Sequence, residues 1–265
     1  MAIILSPGIF FGEEKKVHEN AFFRMNIAHY DPYTDIREHH HENAYLSLLI
    51  KGDYHEKNRK EQHTLASGEF IFRPAGYNHA NHFMDRGGSC LNIEFKQDIL
   101  QQHELYLSFP EKATRYKVGT FTSLYKLLYC FIKDIDNGMP EDYIINWLAD
   151  NKPGNIALRL PWLPQAIHIL ETEFDVHHSI RSLSERVHVH PVYLARAFKE
   201  RTGFTPGEYQ LKMRVQRTME LLFSTNLSVT QIAYAAGFSD TAHMIRSFRL
   251  FYPFSPHKFR MSLKS

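Results

Sequence analysis

The chain has 265 residues, 43% of them hydrophobic, and a formal net charge of +2, enough for one large domain or two ordinary ones with a filled core. No segment approaches the roughly 18 consecutive apolar residues of a membrane span, which excludes an integral helical membrane protein as the expectation. The net charge hides an asymmetry, since residues 179–265 carry 13 Lys+Arg against 5 Asp+Glu (+8) while residues 1–178 carry 18 against 24 (−6). A basic carboxyl third on an acidic body fits a polyanionic partner for that third, and fits a solvated surface as well. The opening MAIILSPGIFFGEEKK has only a short apolar run, broken by proline and glycine and with its lysines downstream, unlike a secretory signal. Two cysteines, Cys90 and Cys130, are too few for a disulfide framework, so a cytoplasmic location is expected.

The first hundred residues alternate apolar and polar positions between turn residues, the period of half-buried strands. Phe23, Met25 and Ile27 share one face. Tyr45 to Ile50 form an apolar run ending at Lys51-Gly52, and Phe70 and Phe72 alternate before Pro74-Ala75-Gly76. Short strands at this spacing predict a sandwich or barrel. From Gln97 the period changes: Leu124, Leu128, Phe131 and Ile135 follow a helical 4-3-4 spacing, and Tyr143, Trp147 and Leu148 repeat it after Gly138-Met139-Pro140. Such helices cover a core, and a narrow stripe can also pair two subunits. NKPGNIALRLP, residues 151–161, is the expected linker.

The carboxyl third reads as helices with clear punctuation. Ser182-x-x-Glu185, Thr205-x-x-Glu208 and Ser228-x-x-Gln231 fit capping boxes, the second with Pro206 at the first helical position. Gly203 and Gly237 fall where helices must stop. In SVTQIAYAAGFSDTAHMIRSFRLFY, Val229, Ile232, Ala233 and Ala236 share a face, Gly237-Phe238 makes a turn, and Met244, Phe248 and Phe251 line the inner face of a second helix capped by Ser239. That is a helix-turn-helix, with Thr241, Ala242, Ile245, Arg246 and Arg249 free on the outer face. Upstream, SIRSLSERVHVHPVYLARAFKERTG gives a second copy: Leu183 and Val187, a turn near Val189, then inward Leu194, Ala197 and Phe198. Its outer face carries Val192, Tyr193, Ala195, Arg196 and Lys199.

On IAYAAGFSD, the following RSFR, the closing FSPHKFR and the earlier LARAFKERTGFTPGEY, residues 161–265 resemble the double helix-turn-helix domain of the AraC/XylS transcription regulators. The resemblance implies that each second helix enters a major groove, with a long helix between the units. Residues 205–223 fit that helix, at about 28 Å. The family's base-reading positions fall on Val192, Ala195 and Arg196, and on Thr241, Ala242 and Arg246. Arg246 suits a forked contact to guanine O6 and N7. His190 departs from the usual serine or threonine cap, and small Val192 and Ala195 suit thymine methyls or backbone contacts.

The stretch REHHHENAY, residues 37–45, leaves three readings open: a metal centre, a pocket for an organic ligand, or a hydrogen-bonded cluster with neither. His39-x-His41 projects both rings to one face, but with 17 histidines such pairs arise by chance, and His188/His190 is another. Gly68-x5-Pro74-x-Gly76-x2-His79 resembles the second cupin motif, and His39-x-His41 before Gly52 resembles the first. The resemblance covers residues 20–95 and implies a cupin-like sensor. Metal-using cupins add a glutamate seven residues before that glycine, where this chain has Tyr45; Glu42 follows His41 directly and points to the other face. Three imidazoles alone still suit zinc.

The expectation is an α+β chain: a cupin-like β-barrel with covering helices (1–110), a helical dimerisation segment (111–160) and an all-α double helix-turn-helix domain (161–265). It predicts a DNA-binding transcription regulator, a homodimer working on double-stranded DNA with RNA polymerase. A small-molecule effector is expected at His39, His41, Tyr45 and His79, with no catalytic residue, cofactor or metal assigned. The alternative is a metal-dependent cupin enzyme carried on a DNA-binding module.

Overall fold

The computed structural model describes residues 2–102, 109–135, 142–144, 147 and 160–264. It divides into two compact units, Met1–Lys152 with Ser262–Ser265, and Pro153–Met261. Most of the expected linker, the Gly138-Met139-Pro140 break and Leu148 lie outside the described residues.

The first unit is built on β1 (Ile3–Leu5), β2 (Glu13–Glu19), β3 (Phe23–Tyr30), β4 (Asp35–His41), β5 (Tyr45–Lys57), β6 (Gln62–Ala66), β7 (Phe70–Arg73), β8 (His79–Phe95) and β9 (Thr114–Tyr116). They form one sheet in the order β1-β4-β8-β5-β7-β9, with β3 also on β8, β2 on β3 and β6 on β5. The path is open, so among the described residues the cupin-like region is a sheet that hydrogen bonds do not close into a cylinder.

Two long strands organise the unit. The start of β8 lies between β4 and the end of β5, and its second half lies between β3 and the beginning of β5. Irregularities at Leu49/Lys51 and Gly52/Tyr54 mark the change. The strand therefore runs through Gly52, where the sequence suggested its end. Gly52 has φ +86°, and a Cβ there would lie 2.0 Å from the Gly87 carbonyl oxygen, so only glycine allows this crossing.

Every residue from Tyr45 to Ile50 is buried, because both faces of β5 are covered. On one face Leu49, Ile71, Phe83 and Cys90 join an apolar cluster with Ala28, Tyr30, Ile36, Tyr54 and Leu65. On the other, Phe72, Phe95, Phe109, Phe121 and Trp147 form an aromatic layer with ring centroids 4.8–6.5 Å apart. Helix α1 (Gln97–Gln102) follows β8, and α2 (Thr122–Lys133) is tied to the strands by Tyr125, whose hydroxyl donates to the Gly68 carbonyl at 2.7 Å. Leu124 and Leu128 are fully buried within the chain, Phe131 is half-buried and Ile135 is exposed. The stripe expected to pair two subunits is thus half consumed by the chain's own core.

The second unit contains α3 (Leu163–Thr172), α4 (Ile180–Arg186), α5 (Pro191–Thr202), α6 (Pro206–Ser224), α7 (Val229–Ala235), α8 (Thr241–Phe251) and α9 (Pro256–Ser262). The boxes at Thr205/Glu208 and Ser228/Gln231 are complete, side chain to backbone in both directions. The box expected at Ser182/Glu185 is not: α4 begins earlier, on Ser179, whose hydroxyl accepts from the Ser182 amide at 3.0 Å. Likewise the cap of α8 is Asp240, accepting from the His243 amide at 2.6 Å, rather than Ser239. A carboxylate does this better at a helix N-terminus, since the dipole adds to the hydrogen bond.

Long helix α6 packs against α3 and α5 on one side and α7 and α8 on the other. Its Arg214 Nε donates to the Phe174 carbonyl at 2.7 Å and its Gln210 amide to Val176. A Cβ on Gly237 (φ +78°) would lie 2.7 Å from Asp175 Cα. The loop after α3 is therefore held by α6 and by the turn of the second helix pair, which fixes the two pairs against each other.

Candidate functional site

β4 directs His39 and His41 inward and His40 outward, by the two-residue period of a strand. His39 and His41 are 3% and 4% exposed, whereas His40 Nδ1 meets the Asn78 side chain at 3.0 Å. His79 opens β8 directly opposite His39. The sequence-predicted residues do come together: ring centroids are 4.2 Å apart for His39 and His79, and 4.3 Å for His41 and Tyr45. Glu42 is exposed on the other side.

Hydrogen bonds fix the rings. His39 Nδ1 donates to the Arg37 carbonyl at 2.9 Å and His79 Nδ1 to the Tyr77 carbonyl at 3.0 Å, leaving each Nε2 with its lone pair. The Tyr45 hydroxyl donates to His79 Nε2 at 3.0 Å. His41 Nδ1 is buried without a partner among the described residues. Burial pushes all three imidazoles toward the neutral form: His41 to about 2, His39 lowered, and His79 well below its usual value with the Arg73 charge adding to burial.

The sequence reading missed the rest of the wall. Arg73, 2% exposed, lays its guanidinium on the Glu56 carboxylate, with Nε at 3.1 and 3.3 Å from the two oxygens and Nη2 on Oε2. It also donates to Tyr54 Oη at 2.8 Å and Ser47 Oγ at 3.1 Å, while Asn81 donates to Glu56 at 3.1 Å. Ser47 donates to Asn92 at 2.6 Å, and Asn92 to Asn26 at 2.9 Å. The available signal was the strand period, because Ser47 and Asn81 each lie two residues beyond a predicted pocket residue and so share its face. Phe10 and Phe11 cover the opening, Phe10 lying 4.7 Å from the His41 ring and Phe11 4.9 Å from that of His39. The space left free is about 30 Å³, room for about two waters.

The metal implied by the cupin resemblance does not fit these residues. Tyr45 replaces the glutamate, and its hydroxyl occupies the His79 nitrogen that would coordinate. Among the described residues no group of three His, Cys, Asp or Glu side chains is placed to hold an ion.

In the second unit Leu194, Ala197 and Phe198 on α5, and Met244 and Phe248 on α8, are buried as expected, whereas Phe251, expected on the same inner face, is half-buried. Val192 (71% exposed), Tyr193, Arg196 and Lys199 lie on the outer face of α5, with Ala195 half-buried. On α8, Ala242, Arg246 and Arg249 are exposed, and Thr241 and Ile245 half-buried. The helices differ in what they present. Arg196 pairs with Glu200 at 2.9 Å, and Tyr193 sets its ring edge-on to Trp162 at 5.9 Å. The turn before α5 uses His188 in the left-handed region (φ +55°) where the other pair uses Gly237, and cap His190 makes no side-chain cap bond.

Residues 183–262 match the model of a helix-turn-helix domain. The Msm operon regulatory protein of Streptococcus mutans is 25% identical over 142 residues, 54% of this chain and 47% of that protein. The transcriptional activator RhaS of Escherichia coli is 35% identical over 112 residues, 42% of this chain and 37% of RhaS. The chain thus spans less than half the length of these relatives. Among solved structures, a transcriptional regulator of the AraC-type DNA-binding class from Chromobacterium violaceum is 30% identical, covering 39% of this chain and 92% of that one, with a TM-score of 0.37. The carboxyl-terminal part of this chain, two helix pairs on a long connecting helix, thus matches a helix-turn-helix domain and is similar in sequence to the transcriptional activator RhaS.

Proposed function

We propose that the chain is a sequence-specific transcription regulator in which α5 and α8 enter successive major grooves of double-stranded DNA and the amino unit senses a small molecule. The observation that carries the DNA part is the outer face of α8, with Arg246 and Arg249 exposed on a helix whose other side is locked in the core. An arginine so placed can reach base edges. The 19 residues of α6 give about 28 Å between the pairs, compatible with grooves one turn apart. The sensing part rests on a buried polar wall in which His41 Nδ1 has no partner among the described residues. An effector acts by binding one arrangement of the chain more tightly than another.

Residues 1–110 form the sensor in this reading, 111–160 the dimerisation and linker segment and 161–265 the DNA-binding domain, working as a cytoplasmic homodimer with RNA polymerase. None of the described helices is long and apolar enough to cross a membrane. Repeated selection of random duplexes by the full chain tests the reading. The expected product is a bipartite site with half-sites about one helical turn apart; a pool that stays random overturns it.

A further inference from the structure

Resting on the sensor reading, the pocket's charge balance and hydrogen-bonding pattern limit what it can hold. Arg73 is the cation in its wall, and that charge is already matched by Glu56 in a pair with side chains 2% and 0% exposed. Arg73 also donates to Tyr54 and Ser47, and its guanidinium lies 5.0 Å from the centre of the Tyr45 ring. An incoming carboxylate would therefore be buried without a counter-charge of its own. It would also bring only acceptors to the lone pair of His39 Nε2. An ammonium or a metal cation would equally find no free counter-charge, because the Glu56 carboxylate is held by Arg73 and Asn81. A hydroxyl group both donates and accepts, and so suits the His39 lone pair and the orphaned His41 Nδ1, whichever tautomer His41 adopts.

The apolar requirement is as plain. Phe10 lies against His41 and Tyr45, with centroids 4.7 and 5.4 Å away, and is only half-buried on the irregular stretch between β1 and β2. With about 30 Å³ free, an occupant larger than about two waters needs a neighbouring side chain to move, and one that took the place of the Phe10 ring would inherit its apolar contacts. Ile36, Phe83 and Cys90 extend the apolar side of the wall.

We propose that the pocket between β4, β5 and β8 binds an uncharged organic molecule that bears at least one hydroxyl and an apolar face, with His39 and His41 taking the hydroxyl and Tyr45 the apolar face. It is not a metal site and not a carboxylate site. The neutral state of the three imidazoles, favoured by burial, agrees with this assignment.

The test uses the full chain and matched pairs of probes sharing one skeleton: glycerol and glycerate, xylitol and xylonate, glucose and gluconate, benzyl alcohol and benzoate, with zinc chloride separately. Thermal unfolding and calorimetric titration are read at pH 7.5. At least one alcohol should raise Tm by about 2 °C or more at saturation while its carboxylate does not, and the rise should vanish in His41→Gln. His39→Gln, checked by circular dichroism, gives a second variant should the first misfold. A carboxylate that stabilises the wild type but not His41→Gln overturns the ligand class and leaves the sensor reading standing. Stoichiometric zinc lost in the same variant overturns the assignment against metal. Stabilisation by none of these probes overturns the pocket as a sensor, and the class with it.

Discussion

Arg73 and Glu56 form a side-on ion pair at the centre of the first unit, with Tyr54, Ser47 and Asn81 taking up further hydrogen bonds of the two groups. A buried pair of this kind adds little net stability over an apolar replacement, but removing one partner strands a charge. Glu56→Gln should destabilise the first unit by about 3–5 kcal/mol, and the double change Glu56→Gln with Arg73→Met should recover part of that loss. Urea unfolding of the three proteins measures it. A loss below about 1 kcal/mol for the single variant would show that solvent reaches the pair.

The Tyr45–His79 hydrogen bond predicts a smaller effect. Tyr45→Phe keeps the ring against His41 and deletes only the hydroxyl, leaving His79 Nε2 buried without its donor. The expected cost is about 1–3 kcal/mol, read as a shift of the urea midpoint with an unchanged slope. If the midpoint stays put, a water has replaced the phenol.

Stability should also fall on mild acidification. An unfolded histidine titrates near 6.5, whereas burial holds His41 at about 2 and lowers His39 and His79. Below pH 6.5 the unfolded chain takes up protons that the folded pocket refuses, so the stability present above 6.5 is lost as the pH drops toward the folded values. His41 contributes about 1.4 kcal/mol of loss per pH unit below 6.5, and His39 and His79 add to it in the same direction. Unfolding midpoints at pH 7.5 and 5.5 should differ accordingly, and His41→Gln should reduce the difference. An equal difference in that variant would assign the effect to other histidines.

The sequence showed the second unit better than the first, for a physical reason. Helix caps and glycine stops are local: Thr205 with Glu208, Ser228 with Gln231, Gly203 and Gly237 each act within a few residues, so their pattern survives in the string. The errors there are shifts of a few residues, with Ser179 for Ser182 and Asp240 for Ser239. The pocket is non-local. Its histidines carried a spacing signal, but Arg73 meets Glu56 only because β5 continues past Gly52, which a local reading took as a strand end. Leu124 and Leu128 left two readings open, since the same stripe serves a dimer seam or a core, and the fold buries both residues within the chain.

His188 gives a stability prediction independent of DNA sequence. Its left-handed backbone (φ +55°) costs a residue with a Cβ about 1–2 kcal/mol that glycine does not pay, offset in part by the greater freedom of unfolded glycine. His188→Gly should therefore stabilise the second unit by about 0.5–1 kcal/mol in thermal unfolding. A destabilised variant would mean that the His188 side chain holds the turn.

The two recognition helices should read DNA unequally. On α5 the Arg196 guanidinium is already engaged by Glu200, so any base contact must first break that exposed pair, and the neighbouring Val192 and Ala195 offer only apolar contact. On α8, Arg246 stands exposed one turn beyond Ala242, and a forked guanine contact from it would provide about 1–3 kcal/mol of discrimination. Arg246→Ala should weaken the selected site about 5- to 150-fold, leave random DNA nearly unaffected and relax preference at one base pair. Arg217, on α6 and paired with Glu220 at 2.9 Å, supplies the contrast: Arg217→Ala should lower affinity for all sequences alike, with the salt slope falling by at most about one unit. Titrations of both variants on selected and scrambled duplexes at several salt concentrations separate the two behaviours. Equal losses on both duplexes for Arg246→Ala would move the reading role to another residue of α8, with Arg249 the next exposed arginine on that face.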